Sequence, residues 1–220
     1  MIWPPPDQTL NGEIVRLEPI AERHRTPLFE VSGDAEAWLW TDRRVPRGRT
    51  QFDAWFDDRL AALDRVIEWG YVTHSQDSGL PIGSSSYLNI RREHDSLEIG
   101  WTWLEPGSWR SGANLEAKLL MLGQAFDHLG CMRVELKTDA RNRRSREAIS
   151  GLGATEEGTF RKHMFMPELG VRDTVYFSIL DSEWLGVRDG LRRRLREGSK
   201  RTGATGYRGD AGFDGGAVKG

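Results

Sequence analysis

Three groups of residues in this 220-residue chain are spaced so that they could do chemistry. Trp109-Arg-Ser-Gly-Ala-Asn114 lies between a strand-like and a helix-like segment. A glycine-containing loop that runs into a helix N-terminus offers unpaired backbone N–H groups and the positive end of the helix dipole, which suit an anion such as a pyrophosphate. Arg110 can add a charged donor. The same residues also make an ordinary strand-to-helix turn. Glu98 and Glu135 fall in two alternating apolar segments, where a carboxylate serves as a proton acceptor or as a solvated strand residue. Asn142 and Ser145 are spaced to cap a helix. Around them run Arg141, Arg143, Arg144 and Arg146, which read as a solvated face, as phosphate contacts or as a nucleic-acid surface. The chain carries 31 Lys+Arg against 33 Asp+Glu, and that balance argues against nucleic acid.

Other residue types narrow the choice. The single cysteine, Cys131, excludes an internal disulfide and a multi-cysteine zinc site, and reads as a buried small hydrophobe. The histidines at 24, 74, 94, 128 and 163 show no metal-ligand spacing, so no metal is expected. Five of the nine tryptophans (Trp38, Trp40, Trp101, Trp103 and Trp109) lie near these groups, as core or as cover for a site. No apolar run approaches the roughly 20 residues that span a bilayer. Pro4-Pro5-Pro6 stands where a secretory signal would be apolar. A cytoplasmic protein is expected, with neither a membrane nor a nucleic-acid partner.

The elements that must position these residues follow from periodicity. Residues 13–19 alternate as a strand does, 21–31 form a short helix, 34–49 are irregular, and 50–65 form an amphipathic helix. Three antiparallel strands follow at 69–74, 82–90 and 96–104. Within the last, alternation places Leu97, Ile99, Trp101 and Trp103 on one face and Glu98, Gly100, Thr102 and Leu104 on the other. Leu115, Leu119, Leu122, Phe126 and Leu129 mark an amphipathic helix ended by Gly130. A strand at 133–139, a helix at 142–152, a strand pair at 154–164 and 172–180, and a closing helix from 182 to about 196 complete a single domain over 1–197. The step from 96 to 139 is a right-handed parallel crossover. Residues 198–220, with glycine at 203, 206, 209, 212 and 215, read as a flexible polar tail.

Leu97-Glu-Ile-Gly-Trp-Thr-Trp-Leu104, Asn114-Leu-Glu-Ala-Lys-Leu-Leu, Ala125-Phe-Asp-His-Leu-Gly130, Arg133-Val-Glu-Leu-Lys-Thr-Asp139, Asn142-x-x-Ser145, Leu152-Gly-Ala154 and Arg172-Asp-Thr-Val-Tyr-Phe-Ser178 occur in a telling order and spacing. Together they resemble the GNAT-superfamily N-acetyltransferases over about residues 10–196, and look closest to the branch around the ribosomal-protein N-terminal acetyltransferases. The resemblance implies an α/β fold. Its open, mostly antiparallel mixed sheet has one parallel crossover, a splayed central strand pair and helices on both faces. It also implies transfer of an acetyl group from acetyl-CoA to a primary amine by direct attack. A protein or peptide α-amine is the first acceptor class. A small-molecule amine (metabolite or antibiotic) or a non-catalytic CoA-binding module is the alternative.

By the same resemblance, Arg110, Ser111, Gly112, Ala113 and Asn114 hold the pyrophosphate, and Asn142 and Ser145 touch the pantetheine arm. The backbone near Trp103 and Leu104 faces the thioester, where an amide would stabilise the oxyanion. Glu98 is the first candidate base, directly or through a water, and Glu135 the second. Trp38, Trp40, the loop to Arg49 and the turn Pro167–Gly170 form the acceptor side. Two departures stand out. The loop does not match the usual Gln/Arg-x-x-Gly-x-Gly/Ala in either register. The tyrosine expected seven residues after Asn142 is Ile149, which leaves Tyr87, Tyr176, Ser150 or water as the proton donor for the leaving thiolate. The expected partners are acetyl-CoA and the amine, with a homodimer open.

Overall fold

A computed structural model describes residues 1–41 and 46–204. Its strands are β1 (Leu10–Asn11), β2 (Val15–Pro19), β3 (Trp69–Ser75), β4 (Pro81–Arg91), β5 (Ser96–Leu104), β6 (Arg133–Asp139), β7 (Thr155–Met166) and β8 (Gly170–Leu180). Its helices are α1 (Arg25–Val31), α2 (Ala35–Trp38), α3 (Arg49–Asp64), α4 (Ala113–Gly123), α5 (Arg143–Ser150) and α6 (Asp181–Ala204). The strands form one sheet in the order β1-β2-β3-β4-β5-β6-β8-β7, antiparallel throughout except for β5 and β6. A parallel neighbour requires a crossover, and α4 provides it.

Each sheet face has its own apolar core. On one side Leu97, Ile99, Val134, Leu136, Val175 and Phe177 pack with Ala117, Met121 and Leu122 of α4 and Trp184 and Leu191 of α6. On the other, Val72 and Trp103 pack with Leu28 of α1, Trp38 of α2, and Phe52 and Phe56 of α3. Burial of such side chains is the main stabilising contribution, roughly 1.5–3 kcal/mol for each large one. Among the described residues no helix is long and apolar enough to cross a membrane.

Several boundaries differ from those the sequence suggests. The segment expected to be irregular contains α2, where the Asp34 side chain accepts from the Glu36 amide and caps the helix. After Gly123 the fourth helix widens into a π turn, Gln124–His128, before Gly130 turns the chain at φ 71°. The closing helix runs to Ala204, so the expected domain boundary at 197 falls inside a helix. The rest of the expected tail, 205–220, lies outside the described residues.

Candidate active site

The parallel pairing of β5 and β6 covers Ser96↔Arg133, Leu97↔Val134 and Glu98↔Glu135 and then stops. Beyond Glu98, β5 continues to Leu104 paired only with β4, and β6 continues to Asp139 paired only with β8. The two strands diverge, and a wedge opens between them.

A bulge sets the inner wall of that wedge. Pairing of β4 with β5 jumps from Ser84↔Trp103 to Ser86↔Gly100, and Trp101 adopts φ 45°. An extra residue in one strand reverses the alternation beyond it. Leu97, Ile99 and Leu104 therefore share the α4 side, while Trp103 lies in the opposite core and Trp101 stacks on Arg59 of α3 at 3.9 Å. This corrects the expectation that Trp101 and Trp103 share a face with Leu97 and Ile99. At Gly83 a Cβ would stand 2.1 Å from the Trp103 carbonyl oxygen and 2.8 Å from Leu104 Cα, so β4 and β5 approach at a distance that only glycine permits. The Glu105 amide donates to Ile82 O of β4. Backbone alternation then directs the Trp103 amide towards β4 and the Leu104 amide into the wedge. Of the two expected donors, Leu104 is the one with this orientation.

The outer end of the wedge meets α4. Arg110 (φ 63°) and Gly112 (φ 93°) both have left-handed backbone, and Gly112 is the N-cap. Such turns curl successive amides around a common point. Ser111 Oγ donates to Ser108 O and accepts from the Ala113 amide. The first-turn amides of Asn114 and Leu115 have no intrahelical partner by geometry. Asn114 Oδ1 is buried with no hydrogen bond among the described residues. These features fit an anionic group followed by a polar arm. Arg110 is exposed, so its side chain does not obstruct the backbone.

The far wall of the mouth is α5. Asn142 Oδ1 accepts from the Ser145 amide at 3.0 Å, so these two residues make the helix cap. Arg144 stacks on the Trp109 ring at 3.8 Å and lies 3.6 Å from a Glu36 oxygen. Trp109 Nε1 in turn donates to Leu104 O. The stack links the chain leaving β5 to the helix that follows β6. Arg141 is committed to Asp139, and Arg146 pairs with Glu156.

On the face away from α4, Glu98 is 2% exposed. It is bound by Lys137 Nζ at 2.9 Å and Asn89 Nδ2 at 2.7 Å. Lys137 lies two residues past the last parallel pair, so this ion pair bridges the fork. Glu135 is held by Arg133 and Arg91. Tyr176 packs beside Lys137 with Phe160 and His163. Burial lowers the His163 pKa, and Lys137 and Arg172 add to the shift. Beneath Trp101, Arg59 Nη1 lies 2.6 Å from each Glu68 oxygen in a buried ion pair. An open cleft of about 520 Å³ lies on this side, lined in part by Phe29, Ser32, Leu39, Arg47 and Glu168. Arg47 and Glu168, 3.7 Å apart, join the loop before α3 to the β7–β8 turn.

The remaining expected residues divide between packing and surface. Trp38 is 1% exposed, stacked on Trp103 with 4.6 Å between ring centroids, and donates to Ser32 O. It backs the wall, while Trp40 is half-buried. Residues 42–45 of the expected acceptor loop lie outside the described residues. Ile149 belongs to the core, Tyr87 commits its hydroxyl to Met121 O, and Ser150 is exposed. Burial raises the Cys131 thiol to about 12, which removes it as a nucleophile.

Two lysines in the site were not anticipated. Lys137 sits in an alternating strand where nothing distinguishes it from a solvated residue. Lys118 of α4 is buried, and donates to Ser85 Oγ of β4 at 2.9 Å and to Thr102 Oγ1 of β5. Burial lowers its pKa to about 7.

Comparison with known proteins agrees with this geometry. Residues 15–155 match the acetyltransferase (GNAT) domain. A GCN5-related N-acetyltransferase from Brucella melitensis superposes with a TM-score of 0.80, at 30% identity, over 86% of each chain. A structure from T. thermophilus is 36% identical over 88% of this chain and 100% of its own, with a TM-score of 0.77. The ribosomal-protein-S5-alanine acetyltransferase from Vibrio fischeri shares the fold at 17% identity and a TM-score of 0.68, over 81% of this chain and 99% of its own. Comparison with curated proteins finds no match. The forked sheet, the cradle at α4 and these likenesses converge: the chain belongs to the GNAT family and is an acyl-CoA-dependent N-acetyltransferase.

Proposed function

We propose that the acceptor is the α-amine of a protein or peptide, and that it meets the thioester where β5 and β6 part. The observation that carries this reading is the fork at Glu98↔Glu135, with the Glu98–Lys137 pair on the face of the open cleft. In this reading Arg110, Ser111, Gly112, Ala113 and Asn114 cradle the pyrophosphate of acetyl-CoA, and Asn142 and Ser145 flank its pantetheine arm. The Leu104 amide donates to the oxyanion that develops on the thioester carbonyl. Glu98 accepts the surplus proton of the attacking amine, directly or through a water. Glu135, bound by two guanidinium groups, holds the fork in register.

Two features support an α-amine. The cleft is open rather than a closed aromatic pocket, and its walls can flank an extended chain end. The Glu98 oxygens are already engaged by Lys137 and Asn89, which suits an acceptor that sheds its proton readily. An α-amine, with a pKa of about 7.7–8.0, does so more easily than a lysine side chain at about 10.4. The Vibrio fischeri structure with this fold is an acetyltransferase of a ribosomal-protein alanine.

Thiol release from acetyl-CoA tests the reading. Peptides with a free N-terminus are expected to support release, and the same peptides blocked at the N-terminus but carrying lysine are not. Release confined to small amines, or undiminished with blocked peptides, overturns the assignment.

A further inference from the structure

Lys118 is a charge-bearing group buried with no counter-ion among the described residues. Its ammonium donates to two hydroxyls, Ser85 Oγ and Thr102 Oγ1, which are themselves 2.7 Å apart. Burial is the sole cause of its lowered pKa. Nearby, Tyr87 of β4 points its hydroxyl at Met121 O, and Glu116 of α4 spends both oxygens on the amides of Glu13, Ile14 and Val15. From α6, Leu195 approaches α4 at Gly112 and Trp184 approaches it at Gly123, and the charged groups at that junction, Arg188 and Asp127, lie 3.8 Å from each other. Burying a charge without a partner is costly, so the fold gains nothing from a lysine that a methionine would not supply better.

The position supplies a reason. Thr102 lies in the half of β5 that has left β6, at the bulge, half-buried and directed to the α4 side. It therefore stands on the α4 face of the free half of β5, the face opposite Glu98, and Ile149 leaves the usual donor place filled by core.

We propose that Thr102 delivers a proton to the departing thiolate and that Lys118 is the positioning residue that resupplies Thr102. The step balances. The amine nitrogen bonds to the acetyl carbon, and the carbon–sulfur bond breaks with its electron pair on sulfur. The Thr102 O–H proton passes to sulfur, and a Lys118 N–H proton passes to Thr102 Oγ1. The amine's surplus proton leaves on the Glu98 side. Solvent reaching Thr102 through the emptied wedge restores Lys118. A thiol with an ordinary pKa of about 8.5 takes a proton downhill from an ammonium near 7. The proposal rests on the wedge being the thioester seat.

Calorimetric binding of CoA and desulfo-CoA between pH 6 and 9, with pH profiles of kcat, tests it in the wild type, Lys118→Met and Thr102→Val. The wild type is expected to hold CoA about tenfold more tightly than desulfo-CoA at pH 6, where Lys118 is protonated, a difference lost in both variants. The wild-type kcat is expected to fall above about pH 7 as Lys118 loses its proton. Lys118→Met is expected to lower kcat about a hundredfold at pH 7 and to abolish that alkaline decline, without lowering Tm. Equal wild-type affinity for CoA and desulfo-CoA, or variants with the wild-type pH profile, overturns the relay. Failure of both ligands to bind overturns the thioester seat itself.

Discussion

The two faces of the fork carry the same side chain in opposite circumstances. Lys137 reaches a carboxylate, Glu98, at 2.9 Å and keeps a fifth of its side-chain surface in solvent. Lys118 is buried and meets hydroxyls instead. The first lysine completes an ion pair, and the second remains an uncompensated charge among the described residues. Pairing makes a buried charge tolerable, whereas a lone one persists only at a cost to the fold. The difference separates a group that holds the architecture of the fork from one whose value must lie elsewhere.

Glu98→Gln gives the largest expected effect. The variant keeps the shape but cannot accept a proton, so kcat at neutral pH is expected to fall roughly a hundredfold to a thousandfold. Partial recovery at higher pH is expected as more of the acceptor amine becomes free. A pH series of initial rates checks this, and unchanged rates remove Glu98 from the role.

Substituting each lysine in turn breaks the symmetry between the faces. Lys118→Met is expected to stabilise the protein by about 2–4 kcal/mol at pH 7, because the unfolded state no longer binds a proton that the folded state resists. The sign follows from the depressed folded pKa. The wild-type penalty is complete below about pH 7 and disappears as pH rises towards 10.5, so the variant's advantage shrinks over that window. Lys137→Met is expected to destabilise by about 1–3 kcal/mol, since it leaves Glu98 buried without its cation. Denaturant titrations on both variants check the opposite signs, and matching signs would remove the contrast.

A third buried group of titratable residues sharpens the comparison with the smallest effect. Burial on its own raises the Glu18 pKa, but hydrogen bonds from His24, Arg16 and Arg23 outweigh it and bring Glu18 to about 2. Burial lowers the pKa of both His24 and His74, so both are neutral in the fold. Depressed folded values mean stability is complete above the unfolded histidine pKa near 6.5 and declines as pH falls below it. The Glu18 contribution is lost later, from about 4.5 towards 2. Thermal midpoints from pH 7.5 to 5 are expected to fall, and His74→Gln is expected to flatten that decline.

Most of the architecture was legible in the sequence because β2 alternates strictly, turn residues separate β3, β4 and β5, and α3 and α4 have helical spacing. The fork itself was expected only through family likeness, since pairing that stops after three residues leaves no periodic trace. The bulge at Trp101 was hidden because Gly100-Trp-Thr-Trp103 continues an alternating pattern through the inserted residue. Lys118 was hidden for a different reason. Leu115 and Leu119 drew the apolar stripe of α4, yet they are half-buried. The face against the sheet is made of Ala113, Ala117, Met121 and Ala125 together with Glu116 and Lys118. Small residues four apart permit close approach to a sheet, and that was the available sign that charged neighbours could be drawn inside.

Gly83 governs the slot from behind. Its absent Cβ lets β5 lie nearer β4 than any side chain would allow. An alanine there would act as a shim, driving β5 forwards by the thickness of one carbon. The distance between these two strands is thus gauged by an atom that the chain omits.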